Sequence, residues 1–250
     1  MNGVTRTLGK IAREARIADP REIRIRFGKC PLCGWTAFAK WRANAMATRC
    51  ISCRATPVAM AMGVVLAEKV PGFRGMKVYE LSSMGPFFRF LVREVKDLTY
   101  SEYFDDVPSG AFVEGILCQD VQRLSFEDGT FGVCTNTEVF EHVPDDLRGF
   151  REIRRVLAPG GVFLFTVPLH DAERTVERAR MENGVLNHLL PPEYHEDNIR
   201  GRHKVLVYRD YGRDIVERLR TAGFADPEVV PVRDPSGMGH TPNVVFARKK

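Results

Sequence analysis

No stretch of this 250-residue chain stays apolar for long. The longest weakly polar run, Pro57 to Ala67, falls far short of the ~20 residues a membrane-spanning helix requires. Met1 is not followed by the apolar core of a secretory signal. A cytoplasmic protein without a membrane span is therefore expected. Internal repeats and low-complexity segments are missing too, which leaves ordinary globular packing. A hydrophobic share of 44% and a charged share of 28% fit that class. The length is enough for one large domain, or one domain plus a small module.

Charge is unevenly spread. Residues 1–60 hold twelve Lys or Arg and three Asp or Glu, whereas the rest of the chain is slightly acidic. A surplus of this kind attracts phosphates or an acidic polymer, so an anionic partner, nucleic acid or glycan, is one expectation for the N-terminal segment. A solvated basic face is the other. Within the segment, Thr5 to Ala18 suits a short basic helix. Ile23, Ile25 and Phe27 alternate with charged residues at the two-residue period of a half-buried strand.

Two stretches carry most of the information. Thr130 to Pro168 reads as strand, turn, amphipathic helix, strand. Phe131 to Thr135 is an apolar run of strand length. Pro144-Asp145-Asp146 is helix-start chemistry, because carboxylates suit the positive end of a helix. Leu147, Phe150, Ile153, Val156 and Leu157 recur on one helical face. Pro159-Gly160-Gly161 is expected to stop that helix through a left-handed glycine cap. Val162 to Val167 then runs apolar, as a parallel strand covered on both faces would.

The second stretch holds Cys30-Pro31-Leu32-Cys33 and Cys50-Ile51-Ser52-Cys53, two CxxC pairs separated by sixteen residues. Each pair forms a knuckle that turns two thiolates toward one point, and two knuckles complete the tetrahedron zinc prefers. Gly34 supplies the tight turn after the first pair. Two disulfides are the alternative, and the missing secretory signal argues against them. Cys118 and Cys134 lie in apolar runs and read as core thiols.

These residues also carry a resemblance. EVFEHVPDD (138–146) followed by REIRRVLAPGGVFLFTVP (151–168) resembles the second half of the class I S-adenosylmethionine-dependent methyltransferase domain. CPLCGW followed by RCISCRATPVAMAMGVVL is similar to a type 11-like group of bacterial methyltransferases that carry a cysteine-knuckle module before the cofactor domain. The resemblance spans about residues 30 to 248. It implies a Rossmann-like α/β sheet of seven strands with helices on both faces and an antiparallel last strand inserted between its neighbours. A small zinc-ribbon-like module precedes the sheet. Residues 1–56 would form the basic segment with the four-cysteine zinc knuckle. Residues 57–250 would form the methyltransferase domain, with a lid-like insertion at 168–210.

The same resemblance places the site. Met76 to Leu81 would be the first strand, ending at the acidic Glu80. The loop after it, Ser82-Ser83-Met84-Gly85, keeps only one of the family's glycines, yet its small serines let the backbone approach the cofactor. Asp97 to Tyr103 would be the second strand, with Glu102 placed to accept both ribose hydroxyls. Ile116 to Asp120 would be the third, with Asp120 and Val121 at the adenine. Asn136, Glu138, Glu141 and His142 follow the fourth strand, Asn136 beside the cofactor and His142 as a candidate base. A turn-tying role is the alternative for His142. In the insertion, Thr175 to Met181 is expected to be helical. His188 to Asp197 (HLLPPEYHED) offers His195 as a second candidate base, with Glu193, Tyr194 and Asp197 beside it.

Pro57 to Lys69 suits a helix with Val58, Met62, Val65 and Leu66 inside. Tyr211 to Ala222 suits another, capped by Gly223 and followed by strands at Pro227 to Val232 and Asn243 to Ala247. The implied reaction is transfer of a methyl group from S-adenosylmethionine to an oxygen or nitrogen nucleophile, with a hydroxyl of a small molecule or glycan as the expected acceptor. Two other classes remain. One is a cofactor-binding scaffold without activity, as a homo-oligomer or a partner subunit. The other is a zinc-dependent module that docks on nucleic acid or protein.

Overall fold

The computed structural model describes residues 20–195, 204–238 and 241–250. The helix expected over Thr5 to Ala18, and Asp197, lie outside the described residues. The described chain begins with a three-stranded antiparallel sheet, β1 (Arg24–Phe27), β2 (Ala37–Lys40) and β3 (Thr48–Cys50), which carries the two cysteine knuckles. β1 is not half-buried as its alternation suggests: Ile25 is 63% and Phe27 80% exposed. It is an edge strand, paired only with β2, and no element among the described residues covers it.

Among the described residues the main sheet has six strands. Helix α1 (Pro57–Lys69) leads to β4 (Lys77–Glu80), α2 (Gly85–Glu94) and β5 (Asp97–Tyr100). Then come β6 (Phe131–Thr137), α3 (Asp146–Val156), β7 (Leu157–Thr166), α4 (Ile215–Thr221), β8 (Ala225–Pro231) and β9 (Asn243–Arg248). The order is β8-β9-β7-β6-β4-β5. β5, β4, β6 and β7 are mutually parallel, and β9 is antiparallel to both β7 and β8, as the inserted last strand was expected to be.

The seventh strand expected at Ile116 to Asp120 is not there among the described residues. Ile116-Leu117 folds back on Phe112-Val113 instead, and one parallel bridge from Glu102 to Cys118 ties the segment to β5. The cause is local. Glu114 and Gly115 both take left-handed φ, 49° and 81°, which is the two-residue hairpin turn that matches strand twist.

Alternating side chains divide the core into two. Val78, Val133, Val162, Leu164, Val244 and Phe246 face α1 and α2. Tyr79, Cys134, Phe163, Phe165, Val245 and Ala247 face α3 and α4. Helix α1 is buried on nearly all sides, not on a single face, because the knuckle module packs against its outer surface. Leu32 comes so close that a Cβ on Gly63 would lie 2.2 Å from its Cδ2. Cys30, Leu32, Phe38 and Cys50 thus belong to the same buried cluster as the sheet face.

On the other face, Asp145 caps α3 by accepting from Arg148 N at 2.9 Å. Phe150, Ile153 and Val156 are fully buried, each worth about 1.5–3 kcal/mol of transfer free energy. The helix ends at Val156, before the glycines. Pro159-Gly160-Gly161 lies inside β7, where Gly160 at φ 75° absorbs the register shift between the Phe131–Leu157 and Val133–Val162 pairs. Helix α4, shorter than expected, ends in a Schellman motif. Gly223 N donates to Arg220 O and Phe224 N to Leu219 O.

The insertion is strand, not helix, over Thr175 to Met181. Val176–Glu177 pairs with Arg209–Asp210, and Ala179–Glu182 pairs with Val185–His188 around Asn183-Gly184, both left-handed. An Asn-Gly pair between short strands is a hairpin signal strong enough to override helical spacing. No helix among the described residues is long and apolar enough to cross a membrane.

Candidate active site

The loops at the carboxyl ends of β4, β5 and β6 open onto a crevice of 280 Å³, lined in part by Glu102, Asp120, Val121, His142, Leu206 and Tyr208. Glu80 ends β4 behind that wall at 1% exposure, and the Thr135 hydroxyl donates to its Oε2. Burial raises the Glu80 pKa to about 8, against the Thr135 bond, and the charge of Glu102 adds to the rise.

Glu102 holds the serine loop. Its Oε1 accepts from Ser83 N at 2.6 Å, Ser83 Oγ at 2.9 Å and Ser82 Oγ at 3.3 Å. The carboxylate expected at the ribose and the loop expected at the methionyl group are therefore one unit. Gly85, at φ 93°, opens α2, and no side chain caps the helix there. Asp120 is occupied locally: its Oδ1 accepts from Gln122 N at 2.9 Å and Gln122 Nε2 at 3.0 Å.

Asn136 does not line the crevice. It is fully buried in β6, and neither its Oδ1 nor its Nδ2 has a hydrogen-bond partner among the described residues. The hydroxyl of Thr137, at the carboxyl end of β6, is likewise buried without a partner among the described residues. Buried polar atoms without partners are rare and mark places where a ligand or solvent is expected.

The two candidate bases, distant in sequence, meet. After β6 the chain turns through Glu138, held at φ 55°, into a single helical turn at Phe140–His142. A left-handed non-glycine residue at a strand end is a strained position of the kind that gathers at functional sites. Tyr194-His195 pairs antiparallel with Val205-Leu206, which carries His195 over this turn. The imidazoles of His142 and His195 lie 5.0 Å apart, edge to face. Glu141 lies between them at 1% exposure, its Oε1 3.6 Å from His142 Nε2 and 3.8 Å from His195 Nδ1. Burial and the neighbouring Glu138 charge raise the Glu141 pKa well above the carboxylate range, opposed by Arg209. His142 Nδ1 is 2.8 Å from the carbonyl oxygen of Leu206, which can only accept, so Nδ1 carries the proton.

Arg209 was not expected here. At 2% exposure, its guanidinium donates to the carbonyls of Phe140 (3.1 Å), Val143 (2.6 Å) and Pro144 (2.7 Å), the turn that carries Glu141 and His142. It also pairs with Glu177 at 3.2 Å and Asp146 at 3.8 Å. Asp146, read as a helix-start residue, is buried and accepts from Tyr211 Oη and from Arg218. No local pattern marks an arginine as buried, because its partners come from two distant segments, 140–146 and Glu177.

At the knuckles, Cys30 and Cys53 sulfurs are 3.7 Å apart and Cys33 and Cys50 sulfurs 3.6 Å, with all four within 4.8 Å. These separations are far too long for disulfides. They fit a tetrahedral zinc, whose bonds of about 2.3 Å place sulfurs about 3.8 Å apart. The knuckles share a turn: Gly34 N donates to Cys30 O and Arg54 N to Cys50 O, with both residues left-handed. Arg89 and Arg93 of α2 donate to the carbonyls of Cys53 and Leu32.

Residues 83–165 match the methyltransferase-domain family. An uncharacterized 37.1 kDa protein in transposon TN4556 of Streptomyces fradiae is 29% identical over 115 residues, covering 45% of this chain and 30% of that relative. The match therefore spans less than a third of the relative's length. The glycopeptide N-methyltransferase MtfA complexed with S-adenosylhomocysteine superposes with a TM-score of 0.50 at 20% identity, over 78% of this chain and 91% of that one. Its sinefungin complex gives 0.50 at 19% identity, over 78% and 94%. At such identities the likeness establishes the fold: this chain has the α/β fold of S-adenosylmethionine-dependent methyltransferases.

Proposed function

We propose that the protein transfers a methyl group from S-adenosylmethionine to a hydroxyl of a small molecule or glycan. The family match over residues 83–165 and the shared fold support the transferase class. The meeting of His142, His195 and Glu141 beside the crevice carries the choice of a hydroxyl. A neutral amine can attack a sulfonium methyl before losing a proton, whereas a hydroxyl is a poor nucleophile until it sheds one.

In this reading Glu102 accepts the ribose hydroxyls, and Asp120 and Val121 meet the adenine. Ser82, Ser83, Gly85 and Glu80 border the methionyl end, and Asn136 adds a buried amide behind it. S-adenosylmethionine supplies an electrophilic methyl on a positive sulfur. The chain's part is to align the acceptor oxygen with that methyl and exclude water, so most of the rate comes from positioning. The oxygen–methyl bond forms as the sulfur–methyl bond breaks. With no ion at the two histidines, the hydroxyl proton passes to Nε2 of His142, with His195 beside it. Cys30, Cys33, Cys50 and Cys53 hold a structural zinc. A second reading, a cofactor-binding subunit without turnover, draws on the bonds from Ser82 and Ser83 to Glu102, which occupy an oxygen the ribose would need.

Calorimetric titration with S-adenosylmethionine and S-adenosylhomocysteine tests the proposal. Binding at roughly micromolar Kd, about 8 kcal/mol, lost in Glu102→Ala, is expected, followed by turnover in a screen of hydroxylated acceptors. A folded protein that binds neither ligand refutes it. Binding without turnover on any acceptor favours the second reading.

A further inference from the structure

We infer that Glu141, His142 and His195 form a divalent-cation site at the acceptor end of the crevice, separate from the cysteine knuckles. The three ligand atoms, a carboxylate oxygen and two imidazole nitrogens, lie within 4.8 Å of one another. The separations from Glu141 Oε1, 3.6 Å to His142 Nε2 and 3.8 Å to His195 Nδ1, are too long for hydrogen bonds. They suit ligands that share one ion, since two bonds of about 2.1 Å allow up to about 4.2 Å between donor atoms.

Three further features support a cation. Glu141 is buried, and neither of its oxygens accepts a hydrogen bond from another described residue. A carboxylate in that position needs positive charge to be stable as an anion. His142 is tied through Nδ1 to the Leu206 carbonyl, which fixes the tautomer and turns Nε2 toward Glu141. That second bond is the arrangement metal-bound histidines adopt. The turn itself is braced by Arg209 through three carbonyls, and Tyr208 N donates to Glu141 O at 2.8 Å, so the ligands are held before any ion arrives.

Two imidazoles and one carboxylate suit a first-row divalent ion and leave positions open. The cation would bind the acceptor oxygen and lower its pKa, so that the hydroxyl proton passes to solvent water and the histidines serve as ligands. This role rests on the methyl-transfer reading; the binding itself does not.

Cobalt(II) tests the site by optical titration of the full chain with its knuckles zinc-loaded. One equivalent is expected to bind with the visible absorption of cobalt in nitrogen and oxygen ligands, without thiolate charge-transfer bands. His195→Ala, at a half-exposed position, and Glu141→Gln should each weaken binding at least tenfold. No bound cobalt beyond the thiolate site, or equal affinity in both variants, overturns the inference. Calorimetry with S-adenosylmethionine on the same samples separates the two readings. Cobalt binding without cofactor binding leaves the metal site standing and removes methyl transfer. Cofactor binding without cobalt does the reverse.

Discussion

Glu80 makes this protein's stability depend on pH in an unusual direction. Its carboxyl is fully buried, and burial raises its pKa from 4.5 to about 8. An unfolded chain ionises Glu80 near 4.5, while the folded chain keeps the proton until about pH 8. Stability linked to this group is therefore fully present below about pH 4.5 and is lost as pH rises toward 8. At 1.36 kcal/mol per unit, the loss across the window is of order 5 kcal/mol, and between pH 5 and 7 about 3 kcal/mol.

Glu80→Gln keeps the shape and cannot ionise. Denaturant unfolding of the ligand-free wild type and the variant at pH 5, 6, 7 and 8 isolates the effect, because other titrating groups cancel in the difference. The variant should be less stable or equal at pH 5 and gain on the wild type by about 1.4 kcal/mol per pH unit up to pH 8. A difference that stays flat, or that moves the other way, would show that Glu80 is ionised in the folded protein and that the argument from burial is wrong.

Three further outcomes are expected. Gly63→Ala gains up to about 1 kcal/mol in helix propensity, but its methyl would meet the buried Leu32 side chain, and overpacking costs about 1–3 kcal/mol. The net should be a loss in chemical denaturation that turns into a gain in a Leu32→Ala background; additivity in that cycle would contradict the contact. Arg209→Met strips three carbonyls and Asp146 of a buried partner and should cost about 3–5 kcal/mol. Arg209→Lys should recover melting temperature more than turnover, since one ammonium cannot span all three carbonyls. In protein loaded with zinc, chelation at the cysteine knuckles should lower the melting temperature of the whole chain in one transition, because Cys30, Leu32 and Cys50 share a core with α1. An unchanged sheet-domain transition after complete metal loss would show the module to be energetically separate.

Several elements are legible in the residues alone. The apolar runs at Phe131 and Val162 had one reading as buried parallel strands, and the stripe through Phe150 and Ile153 had one reading as a helix face. The four cysteines converge because two short knuckles leave their sulfurs little choice of direction. Local spacing is overruled where a turn outweighs it. Asn183-Gly184 made a hairpin of a helical pattern, Glu114-Gly115 removed a strand, and Gly160 served a strand bulge and not a helix end.

By itself, the sequence determined what is local: hydrophobic period, caps, turns and the thiol pairs, each set by residues within a few positions of one another. Only the tertiary structure decided what depends on distant segments meeting. It brought His195 onto the turn that carries His142, left Glu141 buried between them, drew Arg209 under that turn and fastened the Ser82-Ser83 loop to Glu102. Burial and charge pairing are properties of neighbours in space, and a chain read in order does not contain them.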